Sequence, residues 1–240
     1  MKIAVVTGAA NGIANVVAND FLKKGYKVIA LDKDISNIEK SGFYCYNVDV
    51  TKSDEVRKVF NIINKDFGKI DILVNTVGAT LHMKQIEYIE DDDWDRTFNL
   101  NLKSAFNCIR SVVPIMKKNG WGRIVNISAV AGRTYTFFGG VDFTAAKSAI
   151  IGLTQQCAFE LASYGITVNA IAPGLTLTER VKEMWENKYS KEERDKILER
   201  IPIGRPSTVE EQAKTICFLC SEEASYICGA VIDVNGAMFV

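Results

Sequence analysis

The sequence is short of three things: it holds a single histidine, His82, no excess of either charge sign, and no long apolar run. Each shortage removes a class of function. Lys+Arg and Asp+Glu both number 29, so nothing electrostatic draws the chain to nucleic acid or to an anionic membrane. A bilayer-spanning helix needs roughly 18 or more consecutive apolar residues, and no such stretch occurs. The six cysteines (Cys45, Cys108, Cys157, Cys217, Cys220 and Cys228) are scattered through apolar segments rather than spaced as a disulfide framework. Cys217 and Cys220 form a C-x-x-C within a helical stretch. With no second ligand pair nearby and only His82 as an imidazole, they read as buried, reduced thiols, and no metal site is expected. Met1–Val6 runs straight into a strand pattern without the layout of a secretory leader. The expectation is a cytoplasmic protein.

What is present is an alternation of strands and helices. A chain of 240 residues with 48% hydrophobic and 24% charged residues suits one large α/β domain. Apolar β-branched runs predict strands at Ile3–Thr7, Lys27–Leu31, Phe43–Val48, Ile70–Asn75, Arg123–Ile127, Ile166–Ile171 and Val231–Val234. Helices are expected from the first glycine turn to about Lys24, over Ser53–Phe67 with Ser53 as its N-cap, over Asp93–Lys118, and over Phe143–Ser163. Such repetition builds a doubly wound parallel sheet with helices on both faces. No linker, repeat or low-complexity tract interrupts it, so residues 1–240 form a single domain. The charged helical segment Leu175–Pro206 differs in texture and carries Met184, Trp185 and Tyr189. It reads either as a lid over a site or as a pair of solvated surface helices.

The chemistry begins where the first strand meets the first helix. In Thr7-Gly8-Ala9-Ala10-Asn11-Gly12-Ile13-Ala14, glycines let the backbone turn tightly and approach a pyrophosphate, and the helix N-terminus offers free N–H groups. Asp32 follows the second strand, where a carboxylate accepts hydrogen bonds from a ribose 2′-OH and repels a 2′-phosphate. That favours NAD over NADP.

On these and further motifs the chain resembles the short-chain dehydrogenase/reductase family over residues 1–240, which implies a Rossmann-like dinucleotide-binding fold. The turn from Thr7 to Ile13 is similar to the family's glycine signature, with Ala14 where a third glycine is usual. The third glycine serves helix–strand packing, so weakened NAD binding at most is expected. Asn47–Thr51 resembles the segment that contacts adenine, through Asp49 and Val50. Asn75-Thr76-Val77-Gly78 resembles the N-N-A-G motif, with Thr76 in place of the second asparagine. Gly165–Gly174 matches the strand and turn near the nicotinamide, with Pro173 and Gly174 at its end, and Thr178 stands where a carboxamide-binding threonine is common. The C-terminal segments at Ile203–Pro206 and Gly229–Gly236 are also similar. The resemblance thus implies cofactor contacts from Gly8, Asn11, Gly12, Ile13, Asp32, Asp49, Val50, Asn75, Lys147, Pro173, Gly174 and Thr178.

The family's reacting group is an Asn, a Ser, a Tyr and a Lys. By the same resemblance Asn101 and Lys147 are retained, whereas Phe143 stands at the tyrosine position and Ala129 at the serine position. Phenylalanine has no proton to exchange, and a lost general acid or base removes roughly 10²–10⁴ in rate. A lost donor to a developing oxyanion removes about 10²–10³, overlapping with the first. Substitutes are few. Ser128 is expected to face the other side of the sheet, Tyr135 lies in a loop one residue longer than usual, Asp142 adjoins Phe143, and His82 reads as a surface loop residue near the pocket rim. The acidic run Glu90–Asp93 reads as a helix start. The reading that follows is an NAD-binding, non-catalytic subunit of a homo- or hetero-tetramer, paired with an active relative. Alternatives are an active oxidoreductase, or an isomerase or lyase, with a relocated acid or base, and an inactivated variant of an ordinary dehydrogenase. The class of small-molecule substrate is left open.

Overall fold

In the computed structural model, which describes residues 1–38 and 42–240, the apolar strand residues sort by parity into two cores. Side chains alternate across a strand, so Ile3 and Val5 face one side of the sheet and Ala4 and Val6 the other. The first core packs Ile29, Leu31, Leu73, Ile124 and Val168 against Phe60, Ile63, Val112 and Met116. The second packs Val28, Ala30, Ile72, Val74, Val125 and Ile171 against Val17, Phe21, Ile216 and Leu219. A sheet covered on both faces explains why its strands are apolar throughout rather than alternating with polar residues.

Seven strands run in parallel in the order β3-β2-β1-β4-β5-β6-β7: β1 (Ile3–Thr7), β2 (Lys27–Asp32), β3 (Tyr44–Asn47), β4 (Ile72–Asn75), β5 (Gly122–Ile127), β6 (Ile166–Pro173) and β7 (Val231–Val234). The helices are α1 (Gly12–Lys23), α2 (Ser53–Phe67), α3 (Asp91–Phe98), α4 (Ser104–Asn119), α5 (Val141–Leu161), α6 (Glu179–Asn187), α7 (Lys191–Leu198) and α8 (Val209–Leu219). This is a single-domain, Rossmann-like α/β fold. Val5 pairs with Ile29 on one side and Leu73 on the other. The chain therefore winds outward in both directions from β1 and β4, and between their carboxyl ends lies the switch point where such folds hold ligands.

Two expectations need correcting. The stretch expected as one helix over Asp93–Lys118 is two helices joined by a π turn at Asn99–Lys103. A wider turn has no signature in apolar periodicity, and it re-aims the side chains it contains. Ser53 is not an N-cap. Lys52 occupies that position and Ser53 is the first helical residue, its hydroxyl taking a hydrogen bond from Arg110 on α4. Cys217 on α8 and Cys220 at its C-terminal cap are buried, and burial pushes the Cys217 thiol up to about 11 and the Cys220 thiol up as well.

Candidate cofactor and active site

The turn after β1 is shaped by backbone conformations that side chains resist. Gly8 and Gly12 have φ of +66° and +58°, the left-handed region that a Cβ disfavours. A Cβ at Gly8 would lie 3.1 Å from Thr76 Oγ1. Helix α1 starts at Gly12 with no side-chain cap from Asn11, so its first N–H groups face out of the turn without a protein cap. Ala14 is buried in the core between α1 and the sheet, alongside Val17 and Ala18. Asp32 closes the turn from β2, its carboxylate accepting the Ala10 N–H at 3.0 Å. Beside it, Lys33 pairs with Asp49 at 3.0 Å, and Asp49 also accepts from the Thr51 hydroxyl and N–H. Burial raises the Asp49 pKa, but these donors outweigh it and leave the carboxyl below its ordinary value. Val50 is buried behind it.

Strand β4 delivers the next group. Thr76 donates its hydroxyl to the Thr7 carbonyl, while its N–H is bonded to Thr7 Oγ1 at 3.1 Å. Thr76 therefore stitches the ends of β1 and β4 together at the switch point. Asn75 turns inward: its amide donates to Asn126 Oδ1 at 2.9 Å, and Asn126 donates to Thr154 Oγ1 at 3.0 Å. Asn75 Oδ1 is buried and has no hydrogen-bond partner. Asn126 and Thr154 escaped the sequence analysis. Their only trace was polarity within an apolar strand and a helix face, a weak pointer to a buried network.

Gly78 sits between two buried polar side chains, those of Asn101 and Lys147. A Cβ there would come within 2.7 Å of Asn101 Oδ1 and 2.8 Å of Lys147 Nζ, so glycine is what lets the three approach. The π turn holds Asn101, whose amide bridges back to the loop: Oδ1 accepts from Ala79 N at 2.9 Å and Nδ2 donates to Ala79 O and Thr97 O. Lys147 is buried on α5 and donates to Ile127 O at 3.0 Å. Burial pulls its ammonium down from 10.5 to about 8. The Phe143 ring, one turn earlier, lies 5.8 Å from Lys147 Nζ and packs closely on Gly139, where a Cβ would meet Cδ1 at 2.7 Å. Ala129 follows β5 in extended conformation at the start of a 3₁₀ turn.

Among the described residues, the side chains weighed as substitutes are engaged elsewhere. The Ser128 hydroxyl is buried and donates to the Lys147 carbonyl at 2.8 Å. Tyr135 is 70% exposed and packs edge-on against Phe137, which also carries the Arg200 guanidinium at 4.0 Å. His82 is not a free surface histidine: its side chain is 14% exposed and its Nε2 lies 3.1 Å from Oδ2 of the buried Asp142. Thr178 caps α6, accepting from Val181 N, and its methyl reaches the phosphate turn, 3.5 Å from where a Gly12 Cβ would sit. Pro173 ends β6, and Gly174 fits against Asn235 with no room for a side chain. The residues singled out from sequence thus gather at the carboxyl ends of β1, β2, β4, β5 and β6.

Residues 8–238 match the family model described as enoyl-(acyl carrier protein) reductase. The chain belongs to the short-chain dehydrogenase/reductase family. This member is 36% identical to the 3-oxoacyl-[acyl-carrier-protein] reductase FabG of Staphylococcus epidermidis, over 100% of this chain and 99% of that protein. It is 37% identical to the FabG of Thermotoga maritima, over 100% and 98%. Among solved structures, ElxO with NADP bound and a Tyr→Phe variant of ElxO with NADPH bound each superpose with a TM-score of 0.91 at 31% identity, covering 99% of this chain and 98% of theirs. This family member is therefore an oxidoreductase by descent.

Proposed function

We propose that this chain binds NAD(H) at the carboxyl end of its sheet but does not by itself carry out the carbonyl chemistry of its relatives, serving as the non-catalytic subunit of a hetero-oligomeric dehydrogenase. In this reading the pyrophosphate lies over Gly8, Asn11, Gly12 and Ile13, where the uncapped α1 N-terminus presents N–H groups. Asp32 meets the adenosine ribose, Asp49 and Val50 line the adenine, and Asn75, Pro173, Gly174 and Thr178 line the nicotinamide end. The Asp32 carboxylate repels a 2′-phosphate, and Lys33 is tethered to Asp49, which favours NAD(H) although the ElxO structures hold NADP and NADPH. Residues 175–206 cover this end as a lid.

Bound nicotinamide supplies a hydride donor or acceptor. What the chain must add is a proton at the substrate oxygen. Lys147 and Asn101 are in place to hold the ribose and order a water, but the group beside Lys147 is the phenyl ring of Phe143, and Ala129 offers no hydroxyl at the opposing position. That ring is the single observation that carries the proposal. ElxO, a structural relative whose Tyr→Phe form holds NADPH, supports the idea that binding and proton transfer separate in this fold.

The test is NADH fluorescence titration of the purified chain together with turnover on a panel of 3-oxoacyl thioesters and ketones. NADH is expected to bind, with turnover at background. Phe143→Tyr with Ala129→Ser is expected to raise turnover by about 10²–10⁴. Brisk turnover by the unmodified chain defeats the non-catalytic reading, and an absence of NADH binding defeats the cofactor reading. Native mass spectrometry of the complex from its own cells tests for a second, related polypeptide.

A further inference from the structure

Asp142 is the one carboxylate among the described residues that is both nearly fully buried and next in sequence to the reacting end. Its residue is 1% exposed. Oδ2 lies 3.1 Å from His82 Nε2, and Oδ1 has no hydrogen-bond partner. The Nε2–Oδ2 approach is close but not aligned as a hydrogen bond, since Nε2 is also without a partner by geometry. His82 Nδ1 faces the Lys84 N–H at 3.5 Å. A buried carboxylate with an idle oxygen is costly unless a countercharge or donor compensates it, and among the described residues the side chain set against it is the imidazole of His82. The other charged groups at this seam are committed to each other: Lys84, on the loop, is paired with Asp93 of α3. Glycine again permits the arrangement, because a Cβ on Gly140 would strike Oδ1 at 2.6 Å and approach Lys84 O at 3.4 Å.

The two partners belong to the two segments that build the reacting end. His82 lies four residues after Gly78, which touches Asn101 and Lys147, and Asp142 immediately precedes Phe143 in the first turn of α5. Thr80 Oγ1 donates to Phe138 O at 2.9 Å along the same seam, and Arg180 of α6 donates to Thr80 O. We propose that His82, acting through Asp142, is a positioning residue: the pair latches the loop of residues 79–89 onto the start of α5 and so sets the spacing of Gly78, Asn101 and Lys147.

The test compares the wild type with His82→Ala, His82→Gln and Asp142→Asn in two measurements. Hydrogen exchange of the intact, cofactor-free chain is read at residues 79–89 and 141–147. NADH affinity, which rests on the dinucleotide reading above, is measured by fluorescence titration at pH 7.5. His82→Ala is expected to speed exchange in both segments about tenfold at pH 6. His82→Gln, which keeps a donor but cannot be charged, is expected to restore most of that protection. NADH affinity should fall severalfold in His82→Ala and recover in His82→Gln. Exchange within twofold of wild type in His82→Ala, or exchange in His82→Gln as fast as in His82→Ala, overturns the proposal. Should NADH fail to bind any form, the cofactor reading falls and exchange alone decides the latch, by the same two outcomes.

Discussion

The two ends of the cleft are built on different principles. At the proposed adenosine end the groups are mostly backbone: left-handed glycines, an uncapped helix start, and a carboxylate at the end of a strand. At the proposed reacting end they are a few side-chain atoms, with Ala129 and Phe143 near Asn101 and Lys147. A backbone site survives as long as the fold does, because the strand and helix junction that creates it is also the core. A side-chain site can be emptied by single substitutions with little effect on packing, since phenylalanine fills nearly the same space as tyrosine. On the proposed reading, the fold and a dinucleotide cradle can therefore persist without a proton donor.

The comparison breaks most directly at Gly8. Valine there would have to hold φ near +66° with Cβ 3.1 Å from Thr76 Oγ1 and 3.3 Å from Val77 Cγ2. A β-branched residue in this region costs on the order of 2 kcal/mol before any contact is counted. Gly8→Val is expected to weaken NADH binding by on the order of 100-fold, about 3 kcal/mol, and to lower stability to urea. Unchanged affinity in a fluorescence titration would show that the phosphates do not lie on this turn.

The same contrast explains what was legible from the residues alone. The strands, α2 and the tight turn after β1 announced themselves because burial on both faces leaves continuous apolar runs, and a tight turn leaves glycines. Strand ends were less visible, and β6 extends two residues beyond its expected limit to Pro173. The π turn at Asn99–Lys103 was hidden because its hydrophobic spacing passes for an ordinary helix. The His82–Asp142 pair joins residues 60 positions apart through the packing of a loop on a helix start. No local pattern encodes such a meeting. The same holds for the relay from Asn75 through Asn126 to Thr154, which spans three elements.

At the other end, Lys147 is retained at a cost to the fold. Burial lowers its pKa from the ordinary 10.5 to about 8, a gap that at about 1.4 kcal/mol per pH unit amounts to about 3 kcal/mol. Because the charged form is the disfavoured one, the penalty is full below pH 8, shrinks as pH rises, and is gone above 10.5, where the unfolded chain is neutral too. Wild-type stability should accordingly climb between pH 8 and 10.5. Lys147→Met removes the charge but strips Ile127 O of its donor, which offsets about 1 kcal/mol. The cofactor-free variant is expected to be about 2 kcal/mol more stable than wild type at pH 7, with the difference lost or reversed at pH 10.5. Urea unfolding at the two pH values checks both the size and the sign. A variant less stable at pH 7 would mean that Lys147 is held by something other than the need of a ligand.

The smallest expected effect concerns which dinucleotide is chosen. Asp32→Asn keeps an acceptor for Ala10 N–H, so the turn should hold its shape, but removes the charge that repels a 2′-phosphate. Lys33 remains tied to Asp49 at 3.0 Å, so no cation is released to receive the phosphate. The ratio of NADH to NADPH affinity should therefore narrow by about tenfold, roughly 1.4 kcal/mol, without inverting. Adding Asp49→Asn frees Lys33 and should carry the preference further toward NADPH. Parallel titrations with the two reduced dinucleotides separate the contributions. A wild type that already prefers NADPH would relocate the adenosine ribose away from Asp32, while leaving the backbone cradle at Gly8 and Gly12 as the feature on which both dinucleotides depend.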